Sequence, residues 1–181
     1  AAAIAPPKTP LILGGGEGAC IREALRWPSL ESIVMVDIDE QVVNACREFL
    51  PCHHQGAFDD PRVTLKHTDA VAYLRELHSN SFDVVVSDMT DPVESGPSTF
   101  CFTVEYFEQI KRIMTPHGVL AVQAGPASPV EIALHAKVIR TLSEVFPSVI
   151  PYAVDAPCYG RDLGDRKSTR LNSSHTDISR M

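Results

Sequence analysis

Several absences narrow what this chain can do. In 181 residues no apolar run approaches the roughly 20 residues that cross a bilayer; the longest, Pro10 to Leu13 and Ile33 to Val36, are strand-sized. No basic-then-apolar leader opens the sequence. No Lys/Arg cluster is present to follow a phosphate backbone, and 16 bases against 23 acids give a net charge of −7. These absences argue against membrane and nucleic-acid partners, whereas a cationic small molecule fits the acidity. The five cysteines, Cys20, Cys46, Cys52, Cys101 and Cys158, form no CxxC pair, which excludes a zinc knuckle or disulfide framework and fits a reducing, cytoplasmic compartment. What is present, 44% apolar and 22% charged residues, is enough for one core and not for two.

The two ends do not read as those of a complete protein. The chain opens on Ala1 without a Met and reaches its first apolar strand within a dozen residues, so an upstream segment is expected. At the other end, Asp165 to His175 reads DRKSTRLNSSH, which looks like the in-frame translation of a common short-read library adapter. Residues 165–181 are therefore expected to be a disordered, adapter-derived tail following a genuine but partial domain, 1–164. Setting the tail aside removes two acids and four bases, leaving 21 against 12 and a net charge of −9.

Short apolar runs suited to buried parallel strands alternate with amphipathic stretches, which makes the class α/β. Strands are expected at Pro10–Leu13, Ser32–Asp37, Val63–His67, Phe82–Asp88, Gly118–Gln123 and Ser148–Val154. Helices are expected at Ala19–Arg26, Glu40–Phe49, Ala70–Leu77, Thr103–Met114 and Pro129–Phe146, the third capped by Asp69 and the fourth beginning at Thr103. In a doubly wound sheet the ligand lies beyond the carboxyl ends of the strands. Polar residues collect there: Gly14-Gly15-Gly16-Glu17-Gly18 after the first strand, Asp37-Ile38-Asp39 after the second, Thr68-Asp69 after the third and Asp88 to Asp91 after the fourth.

Each group has a plain alternative. The glycines let the backbone pass close to a ligand at a helix start, and with Ala19 they also satisfy the relaxed dinucleotide pattern. Glu17 argues against a pyrophosphate and for a cation. Asp37 is placed to accept hydrogen bonds from a ribose diol; its alternative use, as a helix cap, suits Asp39 better. Asp69 serves equally as a helix cap or as a contact to a base. The stretch Ser87-Asp88-Met89-Thr90-Asp91-Pro92-Val93-Glu94-Ser95-Gly96-Pro97 holds three acids and no base, a set that repels itself unless a cation is near. Cys52-His53-His54 reads as a surface loop, because three neighbouring residues cannot easily share one tetrahedral ion; no metal is expected. Ala57 to Pro61 reads as a turn, and Trp27 and Phe49 as core or helix-end packing.

Taken together, GGGEG, the VDID strand end, TDA, the loop DMTDPVESGP and Gln123-Ala124-Gly125-Pro126-Ala127 resemble the polyamine aminopropyltransferases, the spermidine and spermine synthase family. DPVE followed by a small residue and GP, with QAGPA, is most similar to the thermospermine synthase branch. The resemblance covers about Leu11 to Tyr159. It implies a Rossmann-like doubly wound sheet of the class I S-adenosylmethionine-dependent methyltransferase type, incomplete at both ends, with an upstream β-rich domain and the final strand missing, and a homodimer or homotetramer at full length. It implies decarboxylated S-adenosylmethionine as co-substrate, no prosthetic group, and a polyamine acceptor such as putrescine or spermidine. By position it implies Glu17 near the aminopropyl amine, Asp37 on the ribose, Asp69 and Ala70 at the adenine, Asp88 as general base, and Asp91, with Glu94 and Gln123, at the amine acceptor.

Three other readings compete: an S-adenosylmethionine methyltransferase, whose cofactor carboxylate Glu17 would repel; a non-catalytic ligand-binding module, disfavoured by the presence of Asp88; and an NAD dehydrogenase, for which no His or Lys is clearly placed as the hydride-transfer acid.

Overall fold

The computed structural model describes residues 6–91, 96–126, 132–155 and 165–172, the last eight and 153–155 as backbone. Seven strands and six helices follow one another as β1 (Pro10–Gly14), α1 (Ala19–Ala24), β2 (Ile33–Asp37), α2 (Glu40–Phe49), α3 (Pro51–His54), β3 (Val63–His67), α4 (Ala70–Glu76), β4 (Phe82–Asp88), α5 (Val104–Ile113), β5 (Met114–Pro126), α6 (Ile132–Val145), β6 (Val149–Asp155) and β7 (Asp165–Asn172). They build one sheet in the order β3-β2-β1-β4-β5-β7-β6. The first five are parallel, and β7 runs antiparallel to both neighbours.

The alternation of side chains along each strand sorts the core into two faces. Leu11 and Leu13 of β1 pack with Leu74 of α4, Phe107 and Ile110 of α5 and Leu142 of α6. Ile12, one residue out of phase, packs with Ile21 of α1, Val43 of α2, and Ile33, Met35 and Phe58. All of Pro10 to Leu13 is buried because helices cover both faces, which is why β1 reads as a continuous apolar run. Truncating a fully buried residue such as Phe107 to Ala would cost about 3 to 5 kcal/mol.

Three of the helices begin on side-chain caps. Asp39 accepts from the amides of Gln41 and Val42, Asp69 from Val71, and Thr103 from Tyr106. Each satisfies an amide that the first helical turn leaves unbonded. The Arg112 guanidinium donates to the carbonyls of Leu74 and Leu77, 2.7 Å each, and so ties α5 to the C-terminal end of α4.

The structure departs from the sequence reading in four places. β5 begins at Met114 rather than Gly118, because Met114 pairs with Phe82 before the register shifts and Val119 pairs with Val84. Trp27 and Phe49 are 52% and 71% exposed rather than packed; Leu30 takes the buried place after α1, and Val43 is the residue that α2 buries. His54 is not on a surface loop but buried at the end of α3. Gly56 N–H donates to its Nδ1 at 3.1 Å, so Nε2 carries the proton and donates to the Arg47 carbonyl at 3.0 Å.

The fourth departure is at the C-terminal end. Residues 165–172, expected to be disordered in a sheet without its last strand, run as β7 between β5 and β6. The physical reason is that ladder bonds are made by the backbone. The facing edges of β5 and β6 offer unpaired N–H and C=O groups to any extended segment, and side-chain pattern says little about which segment fills them.

Candidate active site

Strand order reverses between β1 and β4, whose ends lie side by side with Gly14 opposite Asp88. The crevice outside such a switch point is where open α/β sheets hold ligands. Gly14 adopts φ +84°, and a Cβ there would lie 2.2 Å from the Asp88 carbonyl oxygen, so only glycine fits on both counts. Gly16 makes room of another kind: a Cβ would come within 2.7 Å of Asp37 Oδ2. The loop thus lets the second strand's carboxylate fold in beside the first strand's turn. Behind it, Gly18 rests on the Phe58 ring and His54, and the Arg47 guanidinium lies 5.2 Å from the centre of the Phe58 ring. Ala57 to Asp59 is therefore a turn, as expected, but with Phe58 buried as the floor beneath the glycine loop.

Asp37 accepts the Asp39 amide on Oδ1 at 2.9 Å, while Asp39 caps α2. Asp39, and not Asp37, is the cap of that helix, as expected. The Asp37 carbonyl also receives the Thr68 amide, 3.1 Å, which draws the ends of β2 and β3 together and brings Asp69 into the row. Asp69 does cap α4, through Oδ1 at 3.0 Å from Val71 N; Ala70 beside it is buried.

At the end of β4, Ser87 points inward to the buried Tyr106 hydroxyl, 3.3 Å away. Burial pushes the Tyr106 phenol well above its usual range, partly opposed by the Ser87 hydrogen bond. The next residue, Asp88, turns to the crevice, where the Cys20 thiol donates to its Oδ2 at 3.4 Å. Carboxylate oxygens of Glu17 and Asp88 and the Cys20 sulfur lie within 4.8 Å of one another. Asp91 is held by a different strand: Gln123 Nε2 of β5 donates to its Oδ1 at 2.9 Å, and the Ser98 hydroxyl donates to its carbonyl at 3.0 Å. Gly125 approaches the Oδ1 of Asp91, 3.7 Å from the position of a Cβ. The Oε1 of Gln123 is buried and finds no hydrogen-bond partner. Glu94 lies outside the described residues.

The sequence reading thus brings Glu17, Asp37, Asp88, Asp91 and Gln123 to one edge, with Asp69 and Ala70 at its flank. It missed Cys20, passed over as one scattered cysteine, and the Phe58–His54 floor. A thiol two residues past a glycine loop on the carboxyl edge was the available signal for the first; the second has no signal in the sequence. Among the described residues, Glu17, Asp37, Asp69, Asp88 and Asp91 take part in no salt bridge, although Glu23, Glu31, Asp59 and Asp60 elsewhere all do. A cleft of about 530 Å³ lined by Arg22, Glu23, Arg26, Gln55, Gly56 and Asp60 includes none of these carboxylates. Its own charges are engaged in ion pairs, Arg22 and Arg26 sharing Glu23 and Asp60 pairing with Arg62.

Five parallel strands in the order β3-β2-β1-β4-β5, with carboxylates at the switch point, form a class I methyltransferase-like sheet. The comparisons narrow this class. Residues 2–164 match the spermine/spermidine synthase domain, and the chain belongs to that family. A polyamine aminopropyltransferase of Synechococcus sp. (strain JA-2-3B'a(2-13)) is 52% identical over 158 residues, 87% of this chain and 50% of its own length. One from Aeropyrum pernix is 45% identical over 183 residues, covering 93% of this chain and 58% of its own. The crystal structure of spermidine synthase from Thermotoga maritima superposes with a TM-score of 0.84 at 28% identity, covering 97% of this chain and 57% of that one. A spermidine synthase in complex with the transition-state analogue AdoDATO gives 0.86 at 29%, covering 96% and 57%. The chain therefore spans about half the length of the curated relatives it matches.

Proposed function

We propose that residues 1–164 form the catalytic part of a polyamine aminopropyltransferase, with 165–181 an adapter-derived addition. The observation that carries the activity is the row of carboxylates without salt-bridge partners at the switch point; the family match, which ends at residue 164, supports the boundary. The reaction joins an amine nitrogen to the methylene carbon beside the sulfonium of decarboxylated S-adenosylmethionine. The carbon–sulfur bond breaks, its electron pair stays on sulfur to give methylthioadenosine, and one proton leaves the nitrogen. The leaving group is already activated, so the protein's tasks are alignment, worth roughly 7 to 11 kcal/mol, and deprotonation of an alkylammonium whose pKa is about 10.

Asp37 takes the ribose diol, Asp69 and Ala70 the adenine, and Glu17 the amine of the aminopropyl group. Asp88, at the end of β4 beside the glycine loop, accepts the proton. Asp91, fixed by Gln123, binds a distal ammonium, and Glu94 is assigned to the same acceptor. The separation matters because an acid beside the attacking nitrogen favours its charged form, so one carboxylate binds while another deprotonates. The DPVESGP and QAGPA segments favour a thermospermine-forming specificity. The net acidity supports a polyamine partner over nucleic acid, and no helix among the described residues is long and apolar enough to cross a membrane. A cytoplasmic homodimer or homotetramer completes the proposal.

The test is release of methylthioadenosine from decarboxylated S-adenosylmethionine with putrescine and with spermidine, in a chain of the relatives' length. Release with either acceptor is expected. Methyl transfer from S-adenosylmethionine with no release from either would establish the methyltransferase reading instead.

A further inference from the structure

The carboxylate assigned above to proton transfer is not free to turn. Cys20, the second residue of α1, reaches across the switch point to β4 and donates its thiol to Oδ2 of Asp88. Gly15 borders the pair: a Cβ there would sit in ordinary contact, 3.5 Å from that oxygen and 3.8 Å from the Cys20 Cβ. An S–H is a weak donor toward neutral acceptors and stronger toward an ionised one. Burial raises the pKa of the Cys20 thiol well above its ordinary 9.0, the charges of Asp88 and Glu17 add to this, and Arg22 opposes it. The thiol accordingly stays protonated at neutral pH, as a hydrogen-bond donor rather than a nucleophile.

A carboxylate has two oxygens, and a proton acceptor works best when one of them is aimed. On the reading of Asp88 as general base, we propose that Cys20 is a positioning residue: its Sγ–H holds Asp88 through Oδ2 and leaves Oδ1 to take the ammonium proton. Losing the bond should let the Asp88 carboxylate rotate away from the geometry that aims Oδ1. The charged or titratable groups around the pair are Glu17 from the glycine loop and Arg22 from α1.

Two readouts test this. In the 181-residue chain, alkylation of each thiol by iodoacetamide is followed by mass spectrometry between about pH 8 and pH 10. Asp88→Asn should speed modification of Cys20 several-fold while exposed Cys52 keeps its rate. In a chain of the relatives' length, Cys20→Ala should lower turnover at saturating amine roughly three- to tenfold. The amine KM should change little, and Cys20→Ser should restore turnover. If Cys20 alkylation ignores Asp88→Asn, the contact is refuted. If it responds but Cys20→Ala leaves turnover unchanged, or Cys20→Ser fails to restore it, the positioning role is refuted while the general base stands. If the unmodified enzyme releases no methylthioadenosine while the alkylation coupling holds, the general-base reading fails, and the positioning role with it.

Discussion

Asp83 and Asp88 lie on the same strand, β4, and are put to opposite uses. Asp83, near its start, accepts the backbone amides of Lys8 and Thr9 at 2.6 and 3.0 Å and so clamps the segment entering β1. Asp88, at its end, receives a single thiol contact. The same contrast holds more widely. Several acids away from the carboxyl edge are likewise consumed by structure, as with Asp60, whose carboxyl is held down at about 2 by Arg62, while those along the edge have no salt-bridge partner. What distinguishes a candidate site here is not the presence of acids, which a chain with 23 of them guarantees, but their collection without salt-bridge partners on neighbouring strand ends at the switch point.

The comparison breaks most visibly if the two aspartates prove interchangeable. Asp88→Asn should reduce methylthioadenosine release at saturating amine by about 100-fold or more, the usual weight of a general base, with little change in amine affinity. Asp37→Ala should weaken methylthioadenosine binding, read by calorimetry, by about 1.5 to 3 kcal/mol, the value of a charge-assisted hydrogen bond; an unchanged affinity would remove Asp37 from the ribose. Asp91→Asn should chiefly raise the amine KM, less so at high salt where the attraction is already screened. Asp83→Ala should leave nucleoside binding alone and instead lower unfolding stability by about 2 kcal/mol, since two amides lose their acceptor.

The smallest effect is on pH. Burial, then Asp69, raise the Cys101 thiol to about 11, and Cys20 is raised as well. The fold thus keeps protons that the unfolded chain releases near pH 9, so stability is intact below that pH and declines as pH climbs toward 11. Thermal melts should show the decline, and Cys101→Val should flatten it.

The strands were legible because each is covered on both faces or ends in a polar turn: β3, β4 and α2 run between the residues expected. The carboxylate row was legible for the same reason, since sheet topology alone carries the residue after each apolar run to one edge. Trp27 and Phe49 were not. α2 has two apolar stripes, one through Val43 and one through Val42 and Phe49, and the buried one is chosen by Phe58 and Ile21 from elsewhere in the chain. Cys20 escaped because its meaning depends on Asp88, 68 positions away. β7 escaped because its pairing is made by main-chain atoms, which every sequence possesses.

Gly14 has one more implication. Its α-hydrogen occupies the space where any other residue would drive a methyl group into the Asp88 carbonyl. The hinge of the loop and the register of β1 against β4 are thus one contact. Drift in sequence can reshape what the loop binds only by editing its neighbours, because position 14 admits a one-letter alphabet, and a saturation scan there should return glycine or an unfolded sheet.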